Sequence, residues 1–208
     1  MPGTTIKDAL KMWEKQQTGP AEDSGKDVAA APGDSEEEGG GGGRLATEAR
    51  EIDLQFCYPP IEQMDKTLGT LVKCKKLFLS TNLIDRIQGL QGMANLRVLS
   101  LARNSIKTIQ GIEPVAETLE ELWLSYNHLV SIKGIQVMGK LRVLYMNHNY
   151  IRDWNEIARL GEMPKIADVA FLGNPVHEHC ATDEEWRTGM FKRVPQLRRL
   201  DGAFRTYG

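Results

Sequence analysis

The 208-residue chain has only three cysteines, Cys57, Cys74 and Cys180, and they are widely separated. An odd, scattered set gives no disulfide framework. It implies a reducing compartment and thiols that act as small buried hydrophobes. No apolar run approaches the roughly 18 residues of a membrane-spanning helix, so no membrane partner is expected. The opening residues Met1-Pro2-Gly3-Thr4-Thr5 lack a basic segment followed by an apolar stretch, and no secretory leader is expected. Neither sign of charge dominates: 26 Lys and Arg against 28 Asp and Glu leave a net charge of −2.

Motifs of catalysis are missing too. Gly39 to Gly43 has no preceding strand and no following Lys-Ser/Thr, so it is not a phosphate-cradling loop. His177-Glu178-His179-Cys180 contains zinc-ligand residue types, but no second ligand pair stands at zinc spacing, and a polar loop is expected there. Cys57 falls at a cap edge, Cys74 at a core position equivalent to Leu96 and Leu119, and Cys180 in a loop. Asp65, Asp153 and Asp201 have turn or cap roles available. No cofactor, metal or catalytic residue is expected, and the chain is not read as an enzyme.

What is present is a repeat. Leu77-x-Leu79-x-x-Asn82, Leu99-x-Leu101-x-x-Asn104, Leu122-x-Leu124-x-x-Asn127 and Leu144-x-Met146-x-x-Asn149 follow one another, with a degenerate Val169-x-Phe171-x-x-Asn174. The asparagines are 22, 23, 22 and 25 residues apart. That is the register of a leucine-rich repeat, whose units bury their apolar faces only by stacking. The fold class is therefore α/β: a solenoid with a short parallel sheet, an N-terminal helix and a C-terminal helical cap. Because strand side chains alternate, Leu99 and Leu101 point inward. The asparagines Asn82, Asn104, Asn127, Asn149 and Asn174 can both donate and accept, which suits an interior ladder to turn backbone. After each of them, apolar residues recur every third position, as in Ile84-Ile87-Leu90 and Ile151-Trp154-Ile157, predicting 3₁₀-like or loose helical turns on the convex side.

Three segments follow from these patterns. Residues 1–17 hold an amphipathic helix, with Ile6, Ala9, Leu10 and Trp13 on one face and Thr4 or Thr5 as cap. Residues 18–43 carry seven acids against one lysine and end in five glycines. They have too little apolar surface to offset ordering entropy, and a disordered linker is expected. Deleting 18–43 should leave the melting temperature nearly unchanged; a large drop would show that the segment docks on the body. Residues 44–208 form the repeat domain. Its first edge strand contains Ile52 and Leu54, and Ile61, Met64, Leu68 and Leu71 are expected to cover the open apolar end. At the other end Thr182-x-x-Glu185 is a capping box for a helix bearing Trp186, Met190 and Val194, which Pro195 terminates.

Candidate binding residues come from the outward strand positions. Phe78, Val98, Ser100, Trp123, Val143, Tyr145 and Asn147 project from one face, flanked by Arg103, Tyr126 and His148. An aromatic and apolar band rimmed by Arg and His is what a protein-binding hot spot requires. The alternative is that the N-terminal helix folds back over part of this face. The C-terminal cap is basic, through Arg187, Lys192, Arg193, Arg198, Arg199 and Arg205, with Asp183, Glu184 and Glu185 as balancing charges.

Certain words are more specific than the repeat. Thr4-Thr5-Ile6-Lys7-Asp8-Ala9-Leu10, Pro59-Pro60-Ile61-Glu62-Gln63-Met64-Asp65, Leu119-Glu120-Glu121-Leu122-Trp123-Leu124-Ser125-Tyr126-Asn127 and Leu141-Arg142-Val143-Leu144-Tyr145-Met146 resemble the axonemal dynein light chain 1 family. The resemblance covers residues 4–16 and about 48–202. It implies a light chain of outer-arm dynein that binds the heavy-chain motor region, tunes ciliary and flagellar beating, and resides in the cytoplasm on the axonemal cytoskeleton. Tubulin surfaces are acidic, so Arg193, Arg198 and Arg199 are candidates for a secondary microtubule contact. The family also implies a longer C-terminal helix, whereas this sequence has only Ala203 to Gly208 after Leu200-Asp201-Gly202. Two other readings are a regulatory scaffold of a phosphatase, which usually has more repeats, and an RNA-particle scaffold. The latter would want a strongly basic face, so no nucleic-acid partner is expected.

Overall fold

Short strands separated by about one repeat length stack in chain order. The computed structural model describes residues 3–17 and 45–205, and the 18–43 segment lies outside the described residues. The strands are β1 (Glu51–Asp53), β2 (Lys76–Phe78), β3 (Val98–Ser100), β4 (Glu121–Trp123), β5 (Val143–Tyr145), β6 (Asp168–Ala170), β7 (Arg199–Leu200) and β8 (Ala203–Phe204). Each pairs only with its sequence neighbours; β1 to β7 are parallel and β8 is antiparallel on β7. Register aligns Leu77, Leu99, Leu122, Leu144 and Val169, all fully buried, as one row of the core.

The asparagines form a second interior row. The Asn127 carboxamide accepts the Ile106 N–H at 2.9 Å and donates to the Leu101 and Leu124 carbonyls at 2.9 and 3.0 Å. Asn82, Asn104, Asn149 and Asn174 repeat the same three bonds to the equivalent atoms. Each amide thus ties two coils together where the strand turns away. The residue just before each asparagine is left-handed: Thr81, Arg103, Tyr126 and His148 have φ of 57°, 55°, 59° and 54°. That conformation costs non-glycine residues about 1–3 kcal/mol each, and the anchored turn holds them in it.

The convex side holds 3₁₀ turns at Lys66–Thr70, Glu113–Val115 and Ile135–Val137. The Ile151-Trp154-Ile157 segment differs from the loose turns expected of it. Its repeat is 25 residues long, and the added length winds into a true helix, α2 (Trp154–Gly161). Asp153 caps α2 by accepting the Asn155 N–H at 2.8 Å.

Glu156 fastens α2 to the preceding coil. Its carboxylate accepts from Ser131 Oγ and the Ile132 N–H, both at 2.7 Å, and from Arg159 Nε at 3.3 Å. Burial pushes this carboxyl up, but the three donors outweigh burial and hold it below the usual range. A depressed carboxyl contributes stability above its unfolded value, about 4.3, and loses it as pH falls through the folded value. Thermal melts of wild type and Glu156→Gln should therefore converge below about pH 4 and diverge, with wild type higher, toward neutrality. Parallel curves would overturn this role.

Both ends of the stack are closed by helices. In α1 (Ile6–Gln17), Thr5 Oγ1 accepts the Asp8 N–H at 3.1 Å, and Ile6, Ala9, Leu10 and Trp13 are buried. The helix packs on the 3₁₀ turns Ala46–Glu48 and Lys66–Thr70, and Glu14 accepts the Ala46 N–H at 2.8 Å. Ile61, Met64, Leu68 and Leu71 are therefore core beneath α1, not the outer cap, because α1 supplies the apolar face that shields them. At the other end stand α3 (Pro175–Glu178) and α4 (Asp183–Arg193), the latter capped by Thr182. The expected polar loop at His177–Cys180 begins in α3, where Pro175 occupies the first helical turn and His177 packs edge-on against Trp186 at 5.2 Å. Asp201 completes the seal. One carboxylate oxygen accepts the Phe171 N–H at 2.7 Å and the other the Trp186 indole N–H at 2.8 Å. Among the described residues, no helix is long and apolar enough to cross a membrane.

Candidate partner-binding face

Parallel in-register strands turn each outward position into a row running across the sheet. Phe78, Ser100, Trp123, Tyr145 and Ala170 occupy one such row. Trp123 and Tyr145, on adjacent strands, stack with ring centroids 6.1 Å apart and planes 24° apart. Phe78 and Trp123 are two strands apart, about 10 Å of backbone, yet their centroids are also 6.1 Å apart. The rings lean together over the residue between them.

That residue is Ser100, which is only 2% exposed and hydrogen-bonds Ser80 Oγ at 2.5 Å. Ser100 is therefore buried, where alternation predicts an exposed position. A small side chain between two large ones is roofed by them. It serves as the gap that lets Phe78 reach Trp123.

A second row comes from the left-handed positions. Arg103 lies over the Tyr126 ring at 4.3 Å, and Tyr126 stacks on His148 at 4.4 Å. A Cβ at Gly173 would come 2.3 Å from His148 Nδ1, so the close seat of this imidazole requires a glycine in the next repeat. Phe56, with φ of 54° and 72% exposure, has the same conformation ahead of the first full repeat. The sequence reading did not include it, and its exposed ring lengthens the surface. Val98 and Val143 are half-buried at the strand starts. The helix α1 sits at the first coils and does not fold over the aromatic band.

The face also carries polar atoms left in waiting. Trp123 Nε1, Asn147 Oδ1 and Asp168 Oδ1 are buried and have no hydrogen-bond partner. The other Asp168 oxygen accepts the Tyr145 hydroxyl at 3.0 Å, and burial followed by this carboxylate pushes the Tyr145 pKa up. The sequence places Asp168 on the outward face but gives no sign of its bond to Tyr145. It shares the outward row of Glu121 and Val143.

The three arginines of the basic cap part company. Arg193 stacks over the Trp154 ring at 4.3 Å and donates to the Gly189 carbonyl at 3.1 Å. Arg199 is 3.5 Å from Asp168 and donates to the Gly202 carbonyl at 3.2 Å. Only Arg198 of the three is exposed. The cap's charge is thus largely spent on holding the cap in place. Among the described residues no group of His, Cys, Asp and Glu is arranged to hold a metal ion. Burial pushes the Cys74 thiol up to about 12, which makes it inert as a nucleophile.

Relatives carry this sequence across almost its whole length. The axonemal dynein light chain 1 of Rattus norvegicus is 50% identical over 200 residues, covering 96% of this chain and 92% of its own. The proteins of the same name from Homo sapiens and Chlamydomonas reinhardtii are 49% and 48% identical, each over 96% of this chain and 92% and 89% of their own. The chain belongs to the axonemal dynein light chain 1 family. No family model matches it. Among solved structures, a leucine-rich-repeat protein of Leptospira interrogans superposes with a TM-score of 0.60 at 22% identity, covering 74% of this chain and 37% of its own. An internalin C2 of Listeria monocytogenes gives 0.52 at 22% identity, covering 65% and 54%. At that identity both report the leucine-rich-repeat fold alone.

Proposed function

We propose that the protein is a non-catalytic light chain of outer-arm axonemal dynein, which binds the heavy-chain motor region through its sheet face and regulates ciliary and flagellar motility. Family membership supports the dynein association and a place on the axoneme. The observation that carries the binding role is the paired aromatic rows, Phe78–Trp123–Tyr145 and Arg103–Tyr126–His148. Interfaces concentrate their energy in such Trp, Tyr and Arg clusters. The mixed charge of this face suits protein, and a direct tubulin contact is not placed on Arg193 or Arg199, since both bond within the chain.

Affinity purification of the tagged chain from ciliated cells tests the reading. A co-eluting dynein heavy chain is the expected result. A phosphatase or an RNA particle in its place would overturn it.

A further inference from the structure

The edge of the sheet where strands begin is lined by ion pairs between neighbouring coils. Glu48 pairs with Lys73, Glu51 with Lys76 at 3.2 Å, and Glu120 with Arg97 at 2.6 Å. The residues just before the strands, Lys75, Arg97, Glu120, Arg142, Ala167 and Arg198, form one continuous ladder. Each after Lys75 donates its N–H to the carbonyl of the one before, at 2.8 or 2.9 Å. From Arg97 onward the charges alternate, until Ala167 places a methyl group where a carboxylate would sit between Arg142 and Arg198.

A cavity of about 310 Å³ opens there, lined by Arg142, Lys165, Ala167 and Arg198 among others. Arg142, Lys165 and Arg198 form no ion pair among the described residues. The floor is fixed by Gln196, whose amide donates to the Leu160 and Met163 carbonyls at 3.0 and 2.8 Å. Three unneutralised cations around a missing acid form a notch of defined charge.

We infer that this notch docks an acidic segment of a partner protein, one carboxylate entering over Ala167 between the two arginines. Arg142 and Arg198 stand two strand spacings apart, about 10 Å. A carboxylate over Ala167 lies one strand spacing, about 5 Å, from each arginine's strand. Further carboxylates of an extended chain, about 7 Å on at every second residue, fall outside the pair. A run of acids therefore engages these cations more fully than a single small anion. The notch lies on the strand-start edge and does not depend on what binds the aromatic rows. Such a contact would guide and register a partner more than anchor it.

The full-length chain is titrated into a fluorescein-labelled octaglutamate peptide at about 50 mM salt, where screening is weak, and anisotropy is read. The decisive variant is Ala167→Glu, which supplies the chain's own carboxylate to the gap. It should melt no lower than wild type and bind the peptide at least about tenfold more weakly. Arg198→Gln should weaken binding in the same direction, while Lys107→Glu, a cation outside the notch, should leave it unchanged. Wild-type affinity in Ala167→Glu would overturn the proposal. So would an equal loss in Lys107→Glu, which would show a response to net charge alone. Inorganic phosphate displacing the peptide at equal charge concentration would also overturn it, by showing a small-anion site.

Discussion

Trp123→Ala should lose at least about 2 kcal/mol of affinity for the dynein heavy-chain motor region, some thirtyfold. Trp123 is the centre of its row, touching Phe78 on one side and Tyr145 on the other. A buried aromatic of this kind contributes about 150–250 Å² of contact area. Because the indole is half-buried and roofs Ser100 with Phe78, the variant should also lose some stability. Two aromatic contacts go with it, each about 0.5–1.5 kcal/mol beyond area burial, so a loss of about 1–3 kcal/mol is expected. Trp123→Phe separates ring from polar handle. It keeps an aromatic ring in the row and removes only the buried, unpartnered Nε1–H, so an affinity close to wild type is expected if ring contact carries the binding. Calorimetric titration against the purified motor region, with melting curves for each variant, reads both quantities. Wild-type affinity in a folded Trp123→Ala would remove the sheet face as the binding site.

Asn127→Ala should instead destabilise the free protein, with no partner needed. The change strands the interior Ile106 N–H and takes one of two amide donors from each of the Leu101 and Leu124 carbonyls, which keep Asn104 and Asn149. An unsatisfied buried group costs about 1–3 kcal/mol, and with one such N–H left and two carbonyls weakened the total should fall within that range. For a chain of this size such a loss lowers the melting temperature by roughly 2–12 °C. Asn127→Asp should be at least as damaging at neutral pH, because a carboxylate would face two carbonyl oxygens. Part of that loss should return on acidification, as protonation restores one donor. An Asn127→Ala variant that melts like wild type would show that the ladder does not hold the coils.

Much of the architecture is legible in the chain because repetition removes ambiguity. A strand-turn unit written five times fixes which leucines are inside, and therefore which residues share a row, before any coordinate is known. Trp123 and Tyr145 could be placed side by side on that ground alone, and they are. Alternation cannot tell an outward residue from an exposed one, however. Ser100 points outward and is buried, since its exposure depends on how far Phe78 and Trp123 lean. Likewise, a count of basic residues in the cap says nothing of which are spent. Arg193 is held by Trp154 and Arg199 by Asp168, residues 39 and 31 positions away in the sequence.

By itself the sequence determined the repeat, the parallel register, the interior asparagine row and the family, because each is carried by residue type at fixed short spacing. Only the tertiary structure decided what covers what. It put α1 on the open end of the stack and not over the aromatic band. It made a true helix of the longest return segment, and it brought Arg142, Ala167 and Arg198 into one ladder with a charge missing at its centre. Those outcomes depend on contacts between coils. A one-dimensional pattern records the chemistry of each coil but not the distance at which its neighbour's side chains come to rest.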